Sequence, residues 1–293
     1  MKRLAMSLAL AVFVGVAMTA RAADETEFNF LTINFPGDTF TQLLGINKGS
    51  IIAGYHGAAV NKGFVLTKLS VFTSENFPGS AQTQVIGINN LNQTDGFYID
   101  TVGINHGFLD KSGTFTTVDF PGTTFNQLLG LNDIRQEAGY FADPKGNDHA
   151  YIYNEIGKTF LLIVIPGAVS SQATGINNLS QVSGFYIDGK GVNHGFLLHA
   201  GSLRTLDFPG GTFTQALGLN NNGQVVGVYL DAKGLSHGFV FNPTVYDEVF
   251  DSIDDPAGVG TTVINGINDL GRVVGFFVDN EGNTDGFVGT PFN

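Results

Sequence analysis

Short apolar runs alternate with clusters of Gly, Asn, Asp and Pro along most of the chain. In the stretch 202–241, runs at 202–208, 212–219, 224–230 and 237–241 are separated by turns at 209–210, 220–223 and 231–234. Alternating apolar and polar residues between such turn formers predict β-strands. No segment shows a sustained 3.6-residue period, so the pattern predicts an all-β protein.

This four-strand unit recurs six times, at intervals of about 43 residues. Each copy contains a Gly-[Ile/Leu]-Asn tripeptide, and a second glycine follows the first by nine positions. The tripeptides begin at Gly45, Gly87, Gly130, Gly175, Gly218 and Gly266. Four short strands in a repeat of this length are typical of a propeller blade. The sequence therefore predicts one six-bladed β-propeller over residues 23–293, with four strands per blade.

An apolar strand ending in proline precedes each copy, as at Phe208-Pro209-Gly210. The chain opens with such a strand at 28–35, and it ends shortly after Phe287 without one. We therefore expect the N-terminal strand to complete the last blade, because closure removes open sheet edges. This places the proline-ended strand outermost and the Gly-[Ile/Leu]-Asn strand innermost. The alternative is an open solenoid of six units, which would require polar capping repeats.

The first 22 residues have the features of a secretory signal peptide. Lys2 and Arg3 precede the apolar run 4–18, and Ala20 and Ala22 are the small residues that a signal peptidase reads. We expect cleavage after Ala22, with an uncleaved membrane anchor as the alternative. The mature protein is then secreted, in the periplasm or outside the cell, and has no membrane span.

Composition narrows the function classes. The chain has no Cys, which excludes disulfides, thiolate metal sites and a cysteine nucleophile. Removal of the leader takes three of the 14 basic residues and none of the 26 acidic ones, so the net charge changes from −12 to −15. Nucleic-acid binding is not expected, because it requires Lys and Arg to neutralise phosphates.

Several motifs resemble a known family of extracellular repeats. The segment 218–227 followed by His237-Gly238-Phe239, and Gly175-Ile176-Asn177 with His194-Gly195-Phe196, are similar to the HAF repeats, which are named after a His-Ala-Phe tripeptide. The similarity covers residues 28–290. The first and last copies depart from it, with Lys62 and Asp285 in place of the histidine. The resemblance implies secretion and a propeller-like fold, and it implies no established activity.

One face of the predicted propeller collects ionisable residues. We call it the hairpin face, because it carries the Pro-Gly loops and the Asp-x-x-Gly turns. Carboxylates and imidazoles together can bind a divalent cation or act in acid-base catalysis. Since the Asp and His pair recurs in most copies, the favoured interpretation is structural, with each histidine facing its turn aspartate across one hairpin. The candidate ligand-binding residues are His56, Asp100, His106, Asp143, His149, Asp188, His194, Asp231 and His237.

Two further rings of polar residues follow from the repeat. The tripeptide asparagines are expected to adopt left-handed turn conformations, and a role in a channel-end cation site is the alternative. The glutamines three positions before the first glycines can bind sugar hydroxyls in the channel, or bond to neighbouring blades, which is favoured. The rings are Asn47, Asn89, Asn132, Asn177, Asn220 and Asn268, and Gln42, Gln84, Gln127, Gln172 and Gln215, with Val263 in the sixth copy.

Departures from the repeat are the better guide to function, since symmetry explains the rest. The hairpin of the first copy, around His56, is two residues shorter, which would open a notch. The third copy has Arg135 and Glu137 in its Asn turn. The connection into the sixth copy is acidic and would suit calcium, although it lacks Asp-x-Asp-x-Asp-Gly spacing. Its acidic residues are Asp247, Glu248, Asp251, Asp254 and Asp255.

No linear motif of a serine hydrolase, zinc protease, P-loop or dinucleotide-binding enzyme is present. The leading hypothesis is therefore a secreted, non-catalytic binding module for a polysaccharide or an envelope protein, without a cofactor. The first alternative is a hydrolase or lyase that uses the Asp and His residues of the hairpin face, with calcium as a candidate metal. The second alternative is a structural component of an extracellular matrix.

Overall fold

The computed structural model describes residues 27–243 and 248–292. All 24 regular elements in these ranges are β-strands, arranged as six four-stranded antiparallel sheets. The sheets surround a central channel, which the Gly-[Ile/Leu]-Asn strand of each repeat lines. The fold is thus the predicted six-bladed β-propeller. The predicted signal peptide, residues 1–22, lies outside the described residues.

The chain begins with β1 (Phe28–Thr32) and then builds the blades in order. Blade 1 contains β2 (Thr41–Ile46), β3 (Ile52–His56), β4 (Lys62–Thr67) and β5 (Val71–Ser74). Blade 2 contains β6 (Gln82–Ile88), β7 (Thr94–Ile99), β8 (Asn105–Lys111) and β9 (Thr114–Val118). Blade 3 contains β10 (Asn126–Leu131), β11 (Gln136–Ala142), β12 (Asp148–Asn154) and β13 (Thr159–Leu162).

The last three blades complete the circle. Blade 4 contains β14 (Ala168–Ile176), β15 (Val182–Asp188), β16 (Asn193–His199) and β17 (Ser202–Leu206). Blade 5 contains β18 (Phe213–Leu219), β19 (Val225–Leu230), β20 (Ser236–Pro243) and β21 (Glu248–Ile253). Blade 6 contains β22 (Val263–Ile267), β23 (Val273–Val278) and β24 (Thr284–Pro291), and β1 is its outermost strand.

Closure occurs where the sequence predicts it. β1 pairs antiparallel with β24, with Phe30 opposite Gly289. On the inner side, Asn268 of blade 6 donates a hydrogen bond to the Asn47 carbonyl of blade 1. The first and last blades are therefore neighbours, and the open solenoid is excluded. Closure thus leaves only short, protected sheet edges.

The first glycine of each repeat lies where adjacent innermost strands touch. A β-bulge precedes it in all six blades, as between Leu128 and Gly130. A Cβ on Gly130 would lie 2.9 Å from the Gly175 Cα of the next blade. Only glycine fits this approach. The bulged residue, such as Leu129, lines the channel.

The second glycine makes room for an aromatic ring. A Cβ on Gly184 would lie 2.5 Å from the ring of Phe196, the aromatic residue of His-Gly-Phe in that blade. Phe196 is fully buried and packs with Ala138 and Ala150 of blade 3. The core therefore lies between adjacent sheets, so each blade is stabilised by its neighbours.

Candidate functional site

The histidines of the hairpin face belong to aromatic stacks inside single blades. In blade 5, the ring of Phe208 stacks on Tyr229 with centroids 3.6 Å apart, and His237 lies 5.2 Å from Tyr229. His237 Nδ1 is 2.7 Å from Asp254 Oδ2, and its Nε2 is 3.7 Å from Asp231 Oδ2. The imidazole is thus held by two carboxylates of its own blade.

Blades 2 and 4 repeat this arrangement. Each group consists of a turn aspartate, a histidine and a second aspartate at the end of the outermost strand. The sequence analysis missed the second aspartate, although in these two blades it stands 13 residues after the histidine, next to the proline motif. The groups are Asp100, His106 and Asp119 in blade 2, and Asp188, His194 and Asp207 in blade 4.

The turn aspartates carry local backbone bonds as well. Asp188 Oδ1 accepts the N–H groups of Val192 and Lys190, and these bonds hold its pKa below the usual value. Asp100, Asp143 and Asp231 have lowered pKa values, with a backbone N–H bond as the main cause in each. Together with the histidine contacts, these bonds form the predicted local clasp in blades 2, 3, 4 and 5.

Blades 1 and 3 depart from the pattern. His56 stacks on Phe35 at 3.5 Å and bonds Asp38 at 2.9 Å. His149 contacts Asp143 at 3.1 Å, but Val164 stands where blades 2, 4 and 5 have the second aspartate. The side chain of His149 is 43% exposed, against 14% for His237. Blade 3 thus presents the most accessible of the predicted histidine and aspartate pairs.

The predicted calcium region does not gather its carboxylates around one point. Asp254 bonds His237, and Asp255 Oδ1 accepts the N–H of Ala257. Asp247 and the side chain of Glu248 lie outside the described residues. Across 27–243 and 248–292, no three His, Asp or Glu side chains are placed to hold a metal ion. Calcium binding stays a prediction.

The tripeptide asparagines form a closed ring at the far end of the channel. Each Nδ2 donates to the backbone carbonyl of the corresponding asparagine in the next blade, at 2.9–3.1 Å, from Asn47 through Asn268 and back to Asn47. Their side-chain oxygens accept N–H groups within the turn, as Asn220 does from Asn222 and Gln224. The left-handed residue is the third after the asparagine, Ser50 in blade 1, so that conformational prediction was wrong.

The opposite end of the channel is a cup of about 310 Å³. Gln42, Gln84, Gln127 and Gln172 line it, together with the rings of Tyr55 and Phe97. Gln215 is not among its lining residues. Six Ile and Leu side chains form the floor and separate the cup from the asparagine ring: Ile46, Ile88, Leu131, Ile176, Leu219 and Ile267.

The glutamines bond in two ways. Gln84 Nε2 donates to Asn61 Oδ1 of the preceding blade at 2.7 Å, as the sequence analysis favours. Gln42 and Gln127 instead accept a tyrosine hydroxyl within their own blades, from Tyr55 at 2.6 Å and Tyr140 at 2.8 Å. Each amide therefore has one polar atom engaged with the protein and another available to a ligand.

No Asp, Glu, Lys, Arg or His is among the described residues that line the cup. Burial raises the pKa of Tyr55 to about 12, so this phenol stays neutral. Asn265, the bulged residue of blade 6, also lines the cup, but its side-chain oxygen is buried and has no hydrogen-bond partner. The cup therefore offers neutral hydrogen-bonding groups at its mouth and apolar surface below.

A second group of ionisable residues, missed by the sequence analysis, is buried between blades 2 and 3. Glu137 lies in β11 rather than in the predicted turn, and both Glu137 and Asp95 are fully buried. Burial raises their pKa values to about 10 and about 8. Glu155, which pairs with Lys111, adds to the shift of Glu137. These carboxyl groups do not line the cup, and burying them lowers the free energy of unfolding.

Comparisons with known proteins support the fold. No protein-family model matches the chain, and no curated protein matches it. Among solved structures, a protein assigned as TolB from Agrobacterium tumefaciens has a TM-score of 0.61 at 9% identity, over 92% of this chain and 99% of that one. A gluconolactonase from Xanthomonas campestris, XC5397, has a TM-score of 0.56 at 11% identity, over 90% of each chain.

A third similar structure is the Aleuria aurantia lectin, a six-bladed propeller with a novel fucose recognition mode, with a TM-score of 0.50 at 8% identity over 90% and 93% of the chains. At these identities the similarities show the propeller fold. The resemblance to HAF repeats stays a prediction. Among the described residues, none belongs to a helix with the length and apolar character needed to cross a membrane.

Proposed function

We propose that this protein is a secreted, non-catalytic binding module that holds neutral saccharide groups in the glutamine-lined cup. The observation that carries the proposal is the lining itself, which combines four glutamine side chains with aromatic rings and no charged group. Amides match sugar hydroxyls as donors and acceptors, and aromatic faces pack against the apolar face of a sugar ring. The volume is at the lower end of the range for small-molecule sites.

Two further features support this role. The floor and the asparagine ring close one end of the channel, so a ligand approaches from the hairpin face and buries only its terminal unit. The histidines and aspartates of that face are engaged in separate blades. The similar Aleuria aurantia lectin recognises fucose on this fold, whereas the similar XC5397 is a gluconolactonase, so the proposal rests on the cup and not on the fold.

Thermal unfolding against a panel of neutral oligosaccharides tests the proposal. A ligand at about a hundred times its Kd stabilises the folded state by roughly 2.7 kcal/mol, which raises the Tm of a chain of this size by about 5 °C. Gln84→Val should weaken binding at least fivefold, and Val263 shows that the fold accepts valine at this position. Gln215→Val is the matched control, because Gln215 does not line the cup.

Two results would overturn the proposal. One is an unchanged Tm with every saccharide in the panel. The other is binding that Gln84→Val and Gln215→Val affect equally, because the ligand would then contact another surface. Leu129→Phe guards against a folding artefact, since it fills the cup from the bulged position and should abolish binding in a folded protein.

A further inference from the structure

Asp148 is the one carboxylate in an otherwise neutral set of six equivalent residues beside the cup. In each blade, this residue stands directly before the histidine, or its replacement, at or next to the start of the third strand. The set is Asn61, Asn105, Asp148, Asn193, Ser236 and Thr284. Since the other five blades use an amide or a hydroxyl at this position, a charge is not required by the fold.

The Asp148 carboxylate contacts the wall of the cup. Its Oδ2 accepts a hydrogen bond from Gln172 Nε2 at 2.7 Å, and Gln172 lines the cup. On the other side lies Tyr140, whose hydroxyl bonds Gln127, a second lining residue. Burial, and then the charge of Asp148, raise the pKa of Tyr140. Asp148 thus lies between two of the four glutamines.

This carboxylate is not paired with a permanently charged side chain of the described residues. Among the described residues, no Lys or Arg forms an ion pair with Asp148; its charged neighbours are His149 and Asp143, which bond each other at 3.1 Å. Asp148 is half-buried, and burial raises its pKa. A half-buried carboxylate with only one neutral hydrogen-bond donor is less well solvated than in water. A cationic partner would therefore stabilise its charged form.

We infer that Asp148 makes the cup selective for saccharides that carry a protonated primary amine, such as a glucosamine unit. The inference rests on the proposed function, and it adds one cationic amine to the neutral groups of the saccharide ligand. Asp148 does not line the cup itself, so an ammonium group would donate to the Oε1 of Gln172, and the Asp148 carboxylate that holds the same amide would stabilise the positive charge. The net charge of −12 favours the approach of a cationic ligand.

Titration calorimetry at pH 6 and low salt, with three β-1,4-linked disaccharides of glucosamine, N-acetylglucosamine and glucose, tests the inference. The glucosamine disaccharide should bind about tenfold more tightly than the other two, because only its amine is charged. Asp148→Asn keeps an oxygen for Gln172, as Asn61 does for Gln84. This variant should bind the glucosamine and glucose disaccharides with equal affinity.

Adding Asn61→Asp to Asp148→Asn moves the carboxylate to the equivalent place in blade 1 and should restore the preference. Equal affinity of the wild type for all three sugars overturns the inference and leaves the proposed function standing. The same holds for a preference that survives in Asp148→Asn. Failure of all three sugars, and of the neutral panel, overturns the proposed function itself. Tighter binding of a lysine peptide than of the glucosamine disaccharide, lost in Asp148→Asn, overturns the assignment to saccharides.

Discussion

Blades 3 and 5 have the same strand order and the same bulged innermost strand, but they differ where they face a neighbour or the cup. Blade 5 is apolar or weakly polar at three positions where blade 3 places an acid or a phenol, and the fourth difference is reversed. The paired residues, with blade 3 first, are Glu137 and Val225, Tyr140 and Val228, Asp148 and Ser236, and Val164 and Asp254.

The comparison separates what the fold requires from what it tolerates. Blade 5 shows that a propeller blade of this family of repeats closes with apolar contacts and one clasped histidine. Blade 3 forms the same sheet while burying Glu137, which costs free energy, and while leaving His149 with one carboxylate instead of two, which forgoes a small stabilisation. A feature that costs stability and is absent from another repeat either serves a function or arose by chance. Exchanging the residues between the two blades distinguishes these explanations.

The largest effect should come from a feature that both blades share. Asn132 and Asn220 each accept two turn N–H groups and donate to their own Gln and to the next blade. Replacing either by Ala leaves buried groups unpaired and should lower the free energy of unfolding by about 4 kcal/mol. Urea denaturation measures the loss, and Ile134→Ala, in the exposed part of the same turn, is the control. If only one of the two substitutions lowered the free energy of unfolding, the two asparagines would not play equivalent roles in the ring.

The repeat made the scaffold predictable. Glycine spacing predicted six blades, and the N-terminal strand predicted closure, because both depend on local turn chemistry and on pairing of sheet edges. The strand at 224–230 was predicted within one residue of β19. The clasped pairs, such as Asp231 and His237, were predicted because both partners belong to one hairpin.

The cup and the buried acids could not be predicted in the same way. Gln127 bonds Tyr140 of its own blade, whereas Gln172 bonds Asp148 of the preceding blade. Which partner a glutamine reaches depends on the angle between adjacent sheets, which the sequence does not show. Glu137 was assigned to a turn, because a buried carboxylate is improbable on sequence grounds alone. In the structure Glu137 belongs to β11, where it pairs with Leu131 of β10.

The next effect concerns Glu137, which Val225 replaces in blade 5. Burial raises the pKa of Glu137 to about 10, above the usual value of about 4.3, so the folded protein keeps a proton that the unfolded chain releases. The free energy of unfolding should therefore fall as pH rises from about 4 toward 10. Glu137→Val removes this term and should raise stability by about 2–3 kcal/mol at pH 8, with little change at pH 4.

Urea denaturation of Glu137→Val and of the wild type between pH 4 and pH 9 measures this difference. The reverse exchange, Val225→Glu, should introduce the same pH dependence into blade 5 and is the matched control for blade identity. If Glu137→Val raised the free energy of unfolding equally at pH 4 and pH 8, the gain would come from packing between blades 2 and 3 and not from the buried proton.

The smallest effect should come from restoring the missing clasp in blade 3. Val164 is 81% exposed and stands where Asp254 holds His237 in blade 5, so Val164→Asp gives His149 a second carboxylate. A histidine that gains an acidic partner contributes stability below its unfolded pKa of about 6.5, and loses it as pH rises through the folded value. We expect a gain of about 0.5 kcal/mol at pH 5.5 and less at pH 8, since the pair is exposed. Val164→Asn is the uncharged control, and an equal gain with it at pH 5.5 would attribute the effect to removal of exposed apolar surface rather than to the ion pair.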